Sequence, residues 1–389
     1  MIIRDAFHLI GGGTPSTTEP KYWGTGIPWI SSSDIDDFHN ISVRRFVTDK
    51  GVEESATNRV SKGTVIVVTR VGLGKVALLS QDMCFSQDIQ ALIPKSNVSI
   101  CSKFMLFQLE QLMSSLKYES QGTTISGITK KQLSDASLYL PPLPEQERIV
   151  ARIEELFSEL DKGVEALQTI KAQLRVYRQA VLKKAFEPKS GWVIKTTAEI
   201  GDVNLGRQRS PKNVSNNFPT NYIRAANITE QGLDLSDLLE MEFTPIEREK
   251  YTLVQGDIIL SEASGSIRQV GKPAIWNSEV ENCCFQNTVI RHRVNGANPK
   301  YIFWYYKYCY VSGLFSKIVG GVGINHIGAK NFSEFTVPVA PMEDQLSIVA
   351  EIESRLSVCD QIEKTVDESL AKAESLRQSI LKKAFEGRL

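Results

Sequence analysis

The chain has 389 residues, more than one ordinary domain holds, so two or three domains are expected. With 42% hydrophobic and 23% charged residues it can build a real core, which excludes disorder as the default. Its 45 basic and 45 acidic residues cancel, which argues against a protein that coats nucleic acid non-specifically, but not against basic residues gathered on one face or phosphate clamping left to a partner.

No apolar run approaches the ~20 residues of a membrane span. Arg4 and Asp5 sit where the apolar part of a secretion signal would begin, so a cytoplasmic protein is expected. Cys84, Cys101, Cys283, Cys284, Cys309 and Cys359 form no C-x-x-C pair, and the histidines are dispersed. Neither a zinc site nor a redox site is expected, and the adjacent Cys283 and Cys284 read as small core thiols.

In chain order, "GGGTPS" (11–16) is either a phosphate cradle or a Gly-Pro turn leading into a strand. "WISSSDI" (29–35) reads as a short extended run, and "GTVIVVTR" (63–70) as a β-branched strand opened by glycine. Residues 102–116 read as a helix. A loop rich in Gly, Ser and Thr follows, then the Pro141, Pro142 and Pro144 cluster that opens a long helix. Its apolar seam runs Ile149, Ile153, Leu156, Leu160, Gly163, Leu167, Ile170, Leu174, Tyr177, Val181, with steps of four and three that mark a heptad broken only at Gly163. Glu145 and Glu147 suit the positive end of the helix dipole, and Lys183 and Lys184 the negative end. A helix of ~43 residues would be ~65 Å long.

The same order then recurs. Lys183 falls on Lys382, a shift of 199 residues, and "VLKKAFE" (181–187) falls on "ILKKAFE" (380–386). Gln146 falls on Gln345 and Ile153 on Ile352, and "GTTISGITKKQLSD" (122–135) falls on "GVGINHIGAKNFSE" (321–334). A gap-free match over about 65 residues marks an internal duplication. The globular parts match more loosely: "YIRAANI" (222–228) resembles "WISSSDI", "GDIILSE" (256–262) is the second glycine-led strand, "CFQNTVI" (284–290) resembles "CFSQDIQAL" (84–92), and residues 299–315 read as the second domain helix. The second seam is Ile348, Ile352, Cys359, Ile362, Val366, Leu376, Ile380, interrupted at Arg355 and Ser369 with Leu356 and Leu370 beside it.

The expected fold is α+β: mixed, strand-rich domains over residues 1–140 and 188–339, each followed by a helix over 141–187 and 340–389. The two helices are expected to pair with each other as a coiled coil. The other reading packs each helix on its own globular part. No phosphate-binding G-x-x-x-x-G-K-[ST] motif, amino-methyltransferase signature, adenosine-cofactor motif or recognised nucleophile motif is present; "VGLGKV" (71–76) has the wrong spacing. A binding and organising protein is therefore expected rather than an enzyme.

"GGGTPSTTEPKYWGTGIPWISSSDI" (11–35), "PPLPEQERIVARIEEL" (141–156) and the twin "LKKAFE" tails resemble the specificity subunit of type I restriction–modification systems over essentially the whole chain. The resemblance implies two target-recognition domains, each reading one half of a bipartite, asymmetric DNA site. It implies that the helices form an antiparallel coiled coil, giving pseudo-two-fold symmetry within one chain, and that they set the half-site spacing and hold two modification subunits. Cofactors are then expected only in partners: S-adenosylmethionine in the modification subunits, ATP and Mg in the restriction subunit. The second half opens with "SGWVIKTTAEIGDV" (190–203), a lead-in that the first half, starting "MIIRDAFHLI", does not match; either the start is late or the first domain has no such edge segment.

Phosphate clamps and base-edge donors are the residues such a reader needs. In the first domain the candidates are Thr14, Ser16, Thr17, Tyr22, Arg44, Arg45, Thr69, Arg70 and Lys75. In the second they are Arg207, Arg209, Lys212, Arg224, Asn227, Arg268 and Lys272. Thr123, Thr124 and Ser126 match the position of Asn325 and His326 in the loops before the long helices. Phe186 and Phe385, with the Lys-Lys-Ala before each, are expected to seat modification subunits or the opposite domain. Two other functions stay open: a free-standing DNA-binding regulator, and a methyltransferase fused to its recognition domain.

Overall fold

The computed structural model describes residues 1–36, 40–120, 127–208, 219–264, 266, 269–320 and 325–389, without the side chains of 117–120 and 264. The chain forms two compact units, Met1–Leu167 with Glu368–Leu389, and Gln168–Asp367. Each unit therefore takes a part of either long helix.

In the first unit the run Val65–Val68 is buried along its whole length, because it lies inside an antiparallel sheet covered on both faces. Val65 and Val67 join Leu92 beneath Met105, Leu109 and Met113 of the helix Ser102–Ser120. Ile66 and Val68 face the other way, toward Ile30 and Phe85. This is the period-two alternation of a strand, with both faces apolar. Ile30 and Phe85 belong to a second, three-stranded sheet in which Trp29 pairs with Cys84 and Ile30 with Phe85 in parallel register.

The second unit repeats the plan. Ile258 and Leu260 of the strand Ile258–Ser261 face Tyr301, Ile302 and Tyr306 of the helix Pro299–Val311. Ile259 faces Ile223 and Phe285. Tyr222 pairs with Cys284 and Ile223 with Phe285, again in parallel. "WI" and "YI", and both "CF" pairs, thus hold matching places. The second domain helix stops at Val311, short of the expected 315, because Gly313 turns left-handed with φ of 73° and a short 3-10 helix follows. The expected extended runs "WISSSDI" and "YIRAANI" are each interrupted by a 3-10 turn, at Ser32–Asp34 and Ala225–Asn227. Asp34 and Asn227 accept hydrogen bonds from the backbone N–H of Ser31 and Arg224, which closes a 3-10 turn in each domain.

The strand Val193–Thr196 in the Trp192 lead-in pairs with Thr336–Val339. At the matching place in the first unit stands a single bridge, Ile2 to Ser137.

The long helices span Leu143–Ala185 and Met342–Phe385, with acidic residues in the first turn of each and a lysine pair in the last. In the first unit Arg377 pairs with Asp161 at 2.9 Å and lies 4.0 Å over the Phe157 ring. In the second unit Lys171 meets Asp367, and Arg178 meets Asp360 and Glu363. Contacts in that unit advance along one helix as they recede along the other, so there the helices run antiparallel. Ile149, Ile153, Leu174, Val181, Ile348, Ile352, Cys359, Val366 and Ile380 of the seams are buried, and Leu156, Leu160 and Leu167 half-buried. Ile170, Tyr177, Ile362 and Leu376 are exposed, as is Gly163. The buried stripe instead takes in Val150, Phe157, Leu182, Leu381 and Ala384. A helix end packed against both a domain and another helix needs a wider apolar face than a two-helix seam.

Candidate nucleic-acid interface

The glycine-rich segment of the first domain is not a phosphate cradle. Gly12 N–H donates to Ile89 O and Gly13 N–H to Phe85 O, so these donors are used inside the fold. Gly206 and Arg207 make the same two bonds, to Val289 O and Phe285 O. A Cβ on Gly12 would lie 2.2 Å from Phe85 O, and one on Gly206 2.2 Å from Gln286 O, so both halves require glycine for this close approach.

Beyond that turn, Thr17, Trp23, Arg44, Arg45 and Phe46 line one open groove of about 470 Å³. Arg45 lies 4.9 Å over the Trp29 ring and 5.9 Å from Trp23, while the two indoles meet edge to face at 5.2 Å. Stacking fixes the Arg45 guanidinium, and Arg44 keeps its charge largely in water, 3.5 Å from Asp34. Two guanidinium groups beside half-buried Trp23 and exposed Phe46 offer donors that an anionic oxygen can accept, next to aromatic surface. The Arg44–Arg45 pair was visible in the sequence. Trp23 and Phe46 were not singled out, although aromatic residues close to a basic pair are a usable signal. Thr14 donates to Gln87 at 2.6 Å, Ser16 shares a hydroxyl bond with Thr18, and Tyr22 donates to Glu54.

The second-domain candidates divide differently. Arg207 is buried: its Nε donates to Glu247 at 2.7 Å and its guanidinium lies over Phe243. Asn227 is buried too, and its amide donates to Asp234 O and Asp237 O. Arg224 pairs with Asp237. In the first domain Lys75 donates to Ile35 O at 2.6 Å. These side chains are committed within the fold, a fact that residue type alone does not show. Thr123, Thr124, Ser126, Arg209, Lys212 and Arg268 lie outside the described residues.

A third group gathers where the central strand ends. Thr69 N–H donates to Asp88 O, and Ile128 N–H to Thr69 O. Val68 N–H donates to Lys75 O, and Gly74 N–H to Val68 O. The second domain repeats all four bonds, with Glu262 in place of Thr69, Thr288 of Asp88, Ile327 of Ile128, Ser261 of Val68, Gly271 of Gly74 and Lys272 of Lys75. Arg70 is exposed, 3.9 Å from Asp88. Asn325 and His326 form a short strand paired with Ala263 and Ser264, beside Glu262. Burial pushes the Glu262 carboxyl up, opposed by His326. Burial holds the nearby Lys307 amine down, with Glu230 opposing and Lys272 adding to it. The adjacent cysteines are core: burial pushes Cys283 to about 12 and Cys284 to about 11, which leaves both thiols protonated and inert.

The chain thus holds two copies of one α+β domain, alike in the backbone bonds of their matched loops and unlike in the side chains those loops carry. The chain belongs to the type I restriction modification DNA specificity domain family, whose model matches residues 1–172 and again 189–372. It is similar to the type I restriction enzyme MjaIX specificity subunit of Methanocaldococcus jannaschii, 24% identical over 82% of this chain and 77% of that protein. It is also similar to the EcoKI specificity subunit of Escherichia coli K12, 26% identical over 69% of this chain and 61% of that protein. Its fold matches a chain of a type I restriction–modification system solved to explain complex assembly and conformational transition, with a TM-score of 0.76 at 19% identity, covering 100% of this chain and 97% of that one. The HsdS subunit of Thermoanaerobacter tengcongensis matches with a TM-score of 0.57 at 18% identity, covering 100% and 96%. Among the described residues no helix is long and apolar enough to cross a membrane.

Proposed function

We propose that this chain is the non-catalytic DNA-recognition subunit of a type I restriction–modification complex acting in the cytoplasm. Each globular domain reads one half of a bipartite, asymmetric site. The long helices set the half-site spacing and scaffold two modification subunits. S-adenosylmethionine belongs to those subunits, and ATP with Mg to the restriction subunits.

The observation that carries this reading is the matched pair of loop closures. Four backbone bonds recur between the domains, while Thr69 and Asp88 are replaced by Glu262 and Thr288. One scaffold with different reading residues suits two half-sites of different sequence. Zero net charge fits a subunit whose partners contribute phosphate contacts.

The test is reconstitution of adenine methylation from purified modification subunits and DNA, with and without this chain. Site-selective methylation is expected only with it. Equal methylation in its absence would contradict the proposal, and tight bipartite DNA binding by the isolated chain, unimproved by the modification subunits, would favour a free-standing regulator.

A further inference from the structure

Within this recognition reading, one position separates the two domains most sharply. Thr69 and Glu262 share a backbone frame, but their side chains have different fates. The Thr69 hydroxyl donates to Asp88 O at 3.2 Å and the residue is buried. At the matching place, among the described residues, Thr288 O receives the backbone N–H of Glu262 and no side-chain donor. Among the described residues the Glu262 carboxylate has no hydrogen-bond partner, although the residue is half-buried. Its neighbours include the imidazole of His326 and, at the closure of its own loop, Lys272.

A half-buried carboxylate that takes no donor from the protein, and whose oxygens still reach solvent, is open to a donor from outside the chain. On a surface that meets DNA the phosphates repel it, and so does every acceptor atom on a base edge. The exocyclic amino groups are what remain, and in the major groove a glutamate pairs best with N4 of cytosine. Gln286, next to the closure, and Asn325 supply neutral polar groups in the same loop cluster.

We propose that Glu262 is a specificity-determining residue of the second domain, accepting a hydrogen bond from the N4 amino group of a cytosine in that domain's half-site. The first domain has no counterpart, because Thr69 is turned inward. The half-sites therefore differ in kind at this position.

The experiment uses the complex assembled from full-length chain and modification subunits, with methylation read by sequencing over a DNA library randomised through both half-sites. The wild-type complex should require cytosine at one position of one half-site. Glu262→Ala should relax that position by about 10- to 100-fold and leave the other half-site unchanged. Glu262→Gln, close in shape and therefore safe for folding, should shift the preference at the same position toward adenine, whose N6 and N7 suit an amide. Wild-type motif and rate in both variants would overturn the assignment, as would equal relaxation across both half-sites. No selective methylation by the wild-type complex would overturn the functional reading and this assignment with it.

Discussion

Gln146 and Gln345 perform one task twice. Each is buried, and each carboxamide oxygen accepts the backbone N–H that precedes a domain helix, of Cys101 at 2.8 Å and Asn298 at 2.7 Å. Each Nε2 donates to a carbonyl just before its own long helix, Pro141 O and Ala340 O. One side chain thus ties the start of two helices, and losing it would leave buried donors and acceptors unpaired at about 1–3 kcal/mol each. A second buried group, His292, has no counterpart in the first domain. Its Nδ1 is 2.8 Å from the Tyr306 hydroxyl, and burial lowers its pKa to about 4. Above about pH 6.5 it is neutral whether folded or unfolded and contributes nothing to pH dependence. Between about 6.5 and 4 the unfolded chain binds a proton that the folded chain refuses, so stability falls with pH across this window. The full loss is about 3 kcal/mol, reached near pH 4. Denaturation at pH 7, 5.5 and 4.5 should show this slope in the wild type and its loss in His292→Gln. A slope unchanged by the substitution would assign it to other groups.

At the scale of elements, the helix feet explain the repeated ending. Phe186 is buried against Tyr301, Tyr305 and Tyr308, with ring centroids 5.4, 5.2 and 6.0 Å away. Phe385 meets Phe104 at 5.3 Å. The foot of each helix therefore rests on the domain helix of the other half. Phe186→Ala should destabilise the second unit by about 3–5 kcal/mol, and Phe385→Ala, half-buried and with one ring neighbour, by less. Thermal and urea denaturation would measure both, and a loss under about 1 kcal/mol for Phe186→Ala would contradict the packing. The repeat, the long helices, the paired strands and the dipole charges were legible, because each is a local pattern of residue type and spacing. The width of the buried stripe was not. Phe157, Leu182 and Leu381 are buried through contacts with distant segments, while Ile362 and Leu376 keep the heptad phase and lie exposed. The site was legible only in part for the same reason. Arg44 and Arg45 are adjacent in sequence and share a groove, whereas the carboxylate that occupies Arg207 is brought from Glu247, and Asn227 is held by carbonyls of the loop that turns back over it.

At the scale of the whole molecule, duplication gives one chain two equivalent frames that differ in the side chains of their matched loops. A cut after each long helix is the natural division of the sequence, but the compact units share the helices between them. Each half of the chain thereby completes the other's core: Val181, Leu182 and Phe186 enter the second unit's cluster, and Ile380, Leu381 and Ala384 the first's. Under the proposed function, one chain that carries two unlike copies of a domain suits an asymmetric two-part DNA site. The most direct measurement is the methylome of cells carrying the modification subunits, sequenced with and without this chain. A bipartite adenine-methylated motif with two unlike half-sites and a fixed spacer should be present only with the chain. Methylation of the same motif without it, or a single contiguous or symmetric motif with it, would contradict the account.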